Sequence, residues 1–419
     1  MNPIPTYPDD VFTDEVLLDP HPRYRELREI GPVVWLDAHQ MYALPRYREA
    51  RAVLGDADTF CSGQGVGLNE TINERSAGRS TIMTDGAQHN KQRVLLGGGL
   101  TPKALRHMQV AVEALAADCV AQLVERGCFD AVADLARALP LTVVPDLIGW
   151  PAGGRTHLLE WASATFDLLG PLNARARQAV PLVEAMQEFA VVTAAEGDLL
   201  PGSIGAAMIE AALRGELEPA QIPPLLVGFL APSLDTTISA IGSAVWLLAT
   251  HPDQWERLKA DPSLIPRAFN ETLRLESPIR AFSRVASRDT SIGNHDIDAG
   301  SRLIVFYASA NRDERQFDRP DEFDVARSNA AEQLGFGYGA HGCAGQGLAR
   351  LEGHAVLRAL VDQVDTLRLG TPTRGLNNLI SGWASLPLTV QPSERTSTLT
   401  ERPIGPLDAG AIHPDWSSA

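Results

Sequence analysis

The sequence predicts a mainly α-helical protein with small peripheral β-sheets. Long stretches with apolar residues at helical spacing cover residues 102–125, 181–195, 219–249, 252–258, 264–276 and 345–364. Stretches rich in β-branched residues are fewer and shorter, at 33–36, 41–43, 301–306 and 385–390. Hydrophobic residues make up 44% and charged residues 21% of the chain, an ordinary globular composition that can bury a large core.

Proline and glycine mark the boundaries of these elements. Thr101 supplies a capping hydroxyl ahead of Pro102, which stands at a first helical position, and His251 followed by Pro252 ends one helix and begins the next. Residues 61–82 contain four glycines and little periodicity. We therefore expect a long loop there, of the kind that covers a ligand site.

No linker-like stretch divides residues 1–391, so we expect them to form one large domain. Residues 392–419 are rich in Ser, Thr, Pro and Asp and lack apolar periodicity. They are expected to form a surface or disordered tail.

The net charge of -16 argues against nucleic acid as a partner, because phosphate binding needs an excess of Lys and Arg. Residues 1–10 have neither the basic start nor the apolar stretch of a signal peptide, which favours a cytoplasmic location. The most apolar segment, 222–249, is interrupted by prolines and by Asp235. We expect a buried central helix and no membrane association.

The four cysteines form no Cys-x-x-Cys pair, so a zinc or iron–sulfur framework is not expected. Cys119 and Cys128 are best interpreted as small buried side chains. Cys343 differs, because the glycine-rich segment 336–345, here called the cysteine loop, presents it just before the helical run 346–357. A helix N-terminus lowers a thiol's pKa and favours the thiolate, which is the form that binds haem iron. On Cys-x-Gly alone, a buried cysteine at a loop-to-helix junction would be the better interpretation.

Three further patterns carry polar groups at helical spacing. Glu271 and Arg274 lie on one helical face, where an ion pair would ordinarily be a surface feature of little energetic value. His89 lies one turn before Arg93.

The acid and hydroxyl of Asp235 and Thr236 stand in the middle of the apolar helix, where burial is costly unless they are paired. A threonine there can bond back to a carbonyl one turn earlier and open the helix to water, although a polar patch facing solvent is the alternative.

The cysteine loop reads Phe-x-x-Gly-x-His-x-Cys-x-Gly, which resembles the haem-ligand signature of the cytochrome P450 family, most closely that of its bacterial members. The resemblance covers about residues 10–391, and the motifs occur in the family's order along the chain. It implies a single catalytic domain, a triangular helical prism that encloses haem b, with Cys343 as the axial ligand of the iron.

The resemblance also implies roles for the other motifs. The residues expected to contact the cofactor, several through its propionates, are Phe336, His89, Arg93, Arg284, His341 and Gly345. The residues expected to lock the fold around the ligand segment are Glu271, Arg274 and Arg327. Asp235 and Thr236 are the candidates for relaying protons during dioxygen activation. Pro232 and Ser233 depart from the family's usual Ala or Gly followed by Gly, which leaves the relay and the pocket shape open.

The substrate is expected to be small and hydrophobic, and an aromatic compound is favoured. The pocket candidates are Phe166, Leu169, Gly228, Pro232, Ser233, Ile279, Phe282 and Trp383. Some stretches are similar to bacterial members that oxidise para-substituted benzoates, whose carboxylate is gripped by an Arg and by hydroxyls. Gly228 replaces the helix serine of that group, so Arg75, Arg79 and Ser80 are the remaining candidates for holding a carboxylate.

The reaction implied is insertion of one oxygen atom from O2, by hydroxylation or O-demethylation, with electrons from a ferredoxin and its reductase. Arg106, Arg350 and Arg358 are weak candidates for the docking surface. A terpene-like hydrocarbon is an alternative substrate. The alternative function is a haem protein that uses peroxide or that does not oxygenate. The Asp235–Thr236 pair argues against this alternative.

Overall fold

The computed structural model describes residues 3–394, and these form a helical body with small sheets packed against it. The first residues of the predicted tail, 392–394, include the end of a β-strand at Pro392. The rest of that tail, 395–419, lies outside the described residues.

Five of the six predicted helical stretches begin and end close to the observed boundaries. The sixth, 181–195, begins at Ala174 instead, because Pro181 is accommodated inside the helix and does not start it. The remaining helices were not predicted. In chain order the helices are α1 (Asp14–Leu18), α2 (His21–Ile30), α3 (Tyr47–Gly55), α4 (Glu70–Ser76), α5 (Gly86–Gly97), α6 (Pro102–Arg126), α7 (Ala138–Ile148), α8 (Leu158–Leu169), α9 (Ala174–Glu196), α10 (Ile204–Leu213), α11 (Ile222–Thr250), α12 (Pro252–Ala260), α13 (Ile265–Leu275), α14 (Tyr307–Ala310) and α15 (Gln346–Gln363). Short 3-10 turns and a π-helical segment, Ala131–Ala136, join several of them.

The strands form four small sheets. They are β1 (Thr6–Tyr7), β2 (Val34–Leu36), β3 (Met41–Leu44), β4 (Phe60–Cys61), β5 (Cys128–Asp130), β6 (Phe282–Ala286), β7 (Thr290–Ile292), β8 (His295–Ile297), β9 (Arg302–Val305), β10 (Val364–Leu369), β11 (Thr373–Arg374), β12 (Trp383–Ser385) and β13 (Pro387–Pro392). The sheet orders are β1-β2-β3-β9-β6-β4, β10-β13-β5, β11-β12 and β7-β8.

Three sequence-based expectations are corrected. The predicted loop 61–82 contains the helix α4, which the side chain of Asn69 caps by accepting a hydrogen bond from the Ile72 amide. Cys128 is exposed rather than buried, because it lies on the edge strand β5. The predicted strand 385–390 is divided between β12 and β13, since the chain turns at Leu386 to pair first with β11 and then with β10.

The helix α11 crosses the middle of the molecule and positions the site. The segment Pro219–Thr250 is long and apolar enough to span a membrane, but 72% of its most apolar window is buried inside the protein, as expected for a core helix. It packs against α7, α8, α9, α13 and α15. The helical core and the sheet-side core meet beside it, and a cavity lies between them.

Candidate active site

The cavity is bounded by the cysteine loop on one side and by the middle of α11 on the other. Its surface is mostly apolar. The predicted pocket residues that line it are Phe166, Leu169, Gly228, Pro232, Ser233, Ile279 and Phe282. Cys343 lines the same cavity, so the structure brings the ligand candidate and most of the pocket candidates together.

The cysteine loop is held in one shape by backbone hydrogen bonds. The amide of Cys343 donates to the carbonyl of Phe336 over 2.8 Å, which folds the loop back on itself just before α15. Gly339 has a φ of 71°, and a Cβ there would lie 2.4 Å from the carbonyl oxygen of Leu54. The positive φ and the lack of space for a Cβ therefore both require glycine at position 339.

The surroundings of the Cys343 thiol act on its pKa in opposite directions. Burial raises the pKa, whereas the backbone N–H groups of Gly345 and Gln346 and the charge of Arg93 lower it. The N–H groups at the start of α15 therefore act on the sulfur in the predicted direction, against the effect of burial. A Cβ at Gly345 would lie 4.0 Å from the Cys343 sulfur, an ordinary contact, so the sulfur does not demand glycine there.

Two histidines and two arginines line the edge of the cavity. This rim group consists of His89, Arg93, Arg284 and His341. The rings of His89 and His341 lie 4.3 Å apart, and burial, followed by the nearby charge of His341, lowers the pKa of His89. Nδ1 of His341 is buried without a hydrogen-bond partner among the described residues.

These residues fit haem b. The apolar cavity wall matches the porphyrin, and the thiol of Cys343 matches the iron. The cationic rim group matches the propionates. The unpartnered Nδ1 of His341 is an orphaned buried polar atom that a propionate oxygen would satisfy.

Asp85 is a site residue that the sequence analysis missed. Its carboxylate lies 3.0 Å from Nε2 of His341 and accepts hydrogen bonds from the amides of Ser62 and Gly63 at 3.1 and 2.6 Å. Although partial burial opposes it, the bonds from His341 and these amides hold the pKa of Asp85 below its ordinary value. Asp85 thereby joins the start of the 61–82 segment to the cysteine loop. The one sequence signal for this role is its position four residues before His89.

Glu271, Arg274 and Arg327 meet in a buried ion-pair network. Nε of Arg274 lies 2.7 Å from one carboxylate oxygen of Glu271, and Nε of Arg327 lies 2.8 Å from the other. Both side chains of the Glu271–Arg274 pair are 0% exposed, so this is not the surface pair that spacing alone suggests. The guanidinium groups also bind backbone carbonyls of segment 311–322, which leads towards the cysteine loop.

In the centre of α11, Thr236 lines the cavity and Asp235 does not. The Thr236 hydroxyl donates to the Pro232 carbonyl over 2.6 Å, which confirms the predicted bond to the preceding turn. Burial raises the pKa of Asp235 to about 7, the charge of Arg137 opposes the shift, and Asp167 adds to it. Asp235 therefore exchanges a proton readily near neutral pH, one residue from a hydroxyl that faces the cavity.

Trp383 is absent from the cavity wall, contrary to expectation. Its ring packs on Trp246 at a centroid distance of 4.8 Å, and the guanidinium of Arg374 lies 3.8 Å from its centroid. The carboxylate candidates Arg75 and Arg79 are exposed and do not line the cavity either. Ser80 packs against α11, since a Cβ at Gly228 would lie 3.0 Å from its Cβ.

Comparison with known proteins agrees with this geometry. The sequence model described as cytochrome P450 matches residues 205–366. The cytochrome P450 CYP199A2 of Rhodopseudomonas palustris is 38% identical over 92% of this chain and 94% of its own length. The chain belongs to the cytochrome P450 family. As a family member it is a haem-thiolate monooxygenase that binds haem b.

Other relatives of this cytochrome P450 are more distant. The putative cytochrome P450 YjiB of Bacillus subtilis is 28% identical over 87% of this chain and 92% of its own length. CYP268A2 of Mycobacterium marinum, solved with pseudoionone, has a TM-score of 0.83 at 26% identity, with 93% of this chain and 99% of that chain covered. Cytochrome P450 CREJ, solved with (4-ethylphenyl) dihydrogen phosphate, has a TM-score of 0.80 at 26% identity, with coverages of 90% and 98%.

Proposed function

We propose that this cytochrome P450 inserts one oxygen atom from O2 into a small, uncharged aromatic substrate, by hydroxylation or O-demethylation. The observation that carries the proposal is the apolar wall that α8, α11 and the segment 278–282 place opposite Cys343. A related structure, CREJ, is solved with (4-ethylphenyl) dihydrogen phosphate, whose phenyl ring supports an aromatic ligand although its phosphate is acidic. The structure solved with pseudoionone supports the second candidate, a terpene-like hydrocarbon.

The charges around the cavity favour a neutral substrate over a carboxylate. The arginines that line it, Arg93 and Arg284, belong to the rim group beside the two histidines and are taken up by the cofactor's own carboxylates. Arg75 lies 3.8 Å from Glu184 and is 65% exposed, away from the cavity wall. A carboxylate placed deeper in the cavity would be buried without a cationic partner, which costs several kcal/mol at least.

Each group of residues has a part in holding the cofactor. Cys343 would hold the iron through its thiolate, and the rim group would hold the propionates. Asp85 engages Nε2 of His341, which leaves the buried Nδ1 available to the cofactor. Phe336 packs beside the cysteine, under the guanidinium of Arg350 at 4.7 Å. Haem, when bound, supplies the iron at which dioxygen is reduced and oxygen is transferred.

Asp235 and Thr236 move protons to the cavity. Asp235 takes up a proton on its side of α11, and the Thr236 hydroxyl passes it to the cavity face. Pro232 lacks an N–H, so α11 forgoes one backbone hydrogen bond in the turn before Thr236, and the Ser233 hydroxyl is already donated to the Phe229 carbonyl at 2.7 Å. The Thr236 hydroxyl is likewise donated to the Pro232 carbonyl, at 2.6 Å, so we assign the relay to Thr236 because it is adjacent to Asp235 and lines the cavity.

We further propose a ferredoxin with its reductase as the electron donor and a cytoplasmic location. Of the docking candidates, Arg350 lies nearest the cysteine, over the ring of Phe336. Arg106 is exposed on α6, and Arg358 is exposed 3.9 Å from Asp362.

The substrate proposal is tested by titrating the ferric protein with a matched pair, 4-methoxytoluene and 4-methoxybenzoate. Displacement of water from the iron shifts the haem spectrum and reports binding. We expect the neutral compound to bind at least about tenfold more tightly, because it leaves no charge buried and unpaired. Tighter binding of the benzoate would reject a neutral substrate.

The cofactor assignment is tested separately by the carbon monoxide difference spectrum of the reduced protein and of Cys343→Ser. We expect the long-wavelength Soret band of thiolate ligation in the wild type and its loss in the variant. An unchanged band in Cys343→Ser would mean that another residue binds the iron.

A further inference from the structure

A cluster of buried and partly buried arginines lies behind the cavity wall. Arg280 follows Ile279, which lines the cavity, but its own side chain points into the protein body. Its Nη2 donates to the carbonyls of Leu17 and Ile380 at 2.9 and 3.3 Å. Arg280 thus connects the cavity wall to α1 and to the segment before β12.

The positive charges in this cluster outnumber the negative ones. The buried carboxylate of Glu276 lies 2.7 Å from Arg374 and 3.2 Å from Arg312, and Arg312 also reaches the half-exposed Asp321. Arg280 forms no ion pair within residues 3–394, although it is only 2% exposed. One positive charge is therefore left without a partner in the protein interior, which is strongly unfavourable.

Several buried polar atoms around Arg280 also lack hydrogen-bond partners among the described residues. They are Nε and Nη1 of Arg280, Nη1 of Arg374, the hydroxyl of Tyr24 and Nδ1 of His21. The Tyr24 ring packs edge-on against His21 at 6.2 Å, and its hydroxyl lies beside Arg280, which opposes the rise that burial causes in the pKa of Tyr24. Burial and the charges of Arg312, Arg374 and Arg280 lower the pKa of His21 well below its ordinary value, so His21 is neutral.

We propose that a small monovalent anion, of the size and charge of chloride, binds between Arg280 and Arg374. Such an ion accepts hydrogen bonds from the unpartnered guanidinium N–H groups and from the Tyr24 hydroxyl, and it neutralises the surplus charge. A buried water would satisfy the donors but leave the charge unpaired, and a divalent anion would overcompensate it. The N-terminus of α2, at His21, adds a favourable dipole.

The bound anion stabilises the pocket wall from behind. The Arg280 backbone, next to Ile279, is held by its amide, which donates to the Leu379 carbonyl at 2.9 Å, and by the Ala308 amide, which donates to the Arg280 carbonyl at 3.3 Å. The Arg280 side chain adds bonds to the carbonyls of Leu17 and Ile380, so an anion that holds this side chain also holds the backbone next to Ile279. This site is independent of the substrate, because none of its donors lines the cavity.

The first test locates the ion in crystals of the haem-loaded protein soaked in sodium bromide. Anomalous scattering distinguishes bromide from water. We expect a bromide peak within hydrogen-bond distance of Arg280 and Arg374. A water peak or no peak at that position, with bromide visible elsewhere, would reject the anion.

The second test measures thermal unfolding of the same haem-loaded protein in sodium chloride and in sodium gluconate at equal ionic strength. We expect chloride to raise the Tm by about 2–4 °C, because an anion that binds only the folded state stabilises it. In Arg280→Met this shift should disappear, and in Tyr24→Phe, which keeps the charge, it should shrink. Arg267→Met, at an exposed position on α13, is the control and should retain it. Equal shifts in all variants would show that chloride acts elsewhere.

Discussion

The cysteine side and the substrate side of the cavity are built in different ways. On the cysteine side, buried charges are tied to fixed partners, as in the Glu271 network and the Asp85–His341 pair. On the substrate side, the wall is mostly apolar, and two of its polar groups, Ser233 and Thr236, bond to carbonyls of their own helix. The first side is specified by polar pairing, and the second by shape.

This difference explains which parts of the site are readable from sequence. A buried ion pair needs particular residue types at fixed spacing, so the pattern survives as a motif. An apolar wall accepts many side chains of suitable volume, so its members show little pattern in the sequence. Trp383 illustrates the second case, because an aromatic residue near the expected position packs on Trp246 and Arg374 instead.

The sharpest test of the cysteine side is Glu271→Gln. It leaves the guanidinium groups of Arg274 and Arg327 buried without their carboxylate, so we expect the free energy of unfolding to fall by about 3–5 kcal/mol. Chemical denaturation of the haem-loaded protein measures this, and the purified variant should also carry less haem.

The control for that test is Glu210→Gln, which removes an exposed pair at 3.9 Å from Arg214 and should cost less than about 0.5 kcal/mol. If the two variants were equally stable, the buried network would not stabilise the cysteine side more than an exposed ion pair does.

On the substrate side, Asp235→Asn should change the pH dependence of stability. Burial raises the pKa of Asp235 to about 7, so between about pH 4 and pH 7 the unfolded state releases a proton that the folded state retains. The wild type should therefore lose stability relative to the variant as pH rises through this window, by about 3–4 kcal/mol at most. Denaturation of both proteins across the window gives the difference, and parallel curves would contradict a neutral Asp235.

At the boundary between the two sides, Asp85→Asn should weaken haem retention. The variant no longer offers His341 a charged acceptor, so we expect haem transfer to an apoprotein acceptor to be about tenfold faster, from the loss of one charge-assisted hydrogen bond. Asp10→Asn is a matched control, since it removes the charged acceptor 2.9 Å from His39, another mostly buried histidine, and neither residue lines the cavity. Equal rates of haem transfer in the two variants would mean that Asp85 does not contribute to holding the haem.

The smallest expected effect compares Leu169→Ala with Trp383→Ala. Leu169 lines the cavity, so its truncation should weaken binding of 4-methoxytoluene by about tenfold. Trp383 does not, so its truncation should change that Kd by less than about twofold while lowering the Tm. Spectral titration gives both Kd values. A larger change in Kd for Trp383→Ala than for Leu169→Ala would mean that Trp383 contacts the substrate.

The sequence by itself determined the helical class, the boundaries of most of the long helices and the polar motifs. Helical periodicity, Thr101 with Pro102, and the spacing of Glu271, Arg274 and Cys343 are local signals, and local backbone and side-chain chemistry accounts for them. Only the tertiary structure decided which groups are buried together. It raised the pKa of the Cys343 thiol, placed Asp85 beside His341 across 256 positions of sequence, and left Arg280 without a paired carboxylate among residues 3–394, because burial and long-range contact are properties of the packed chain.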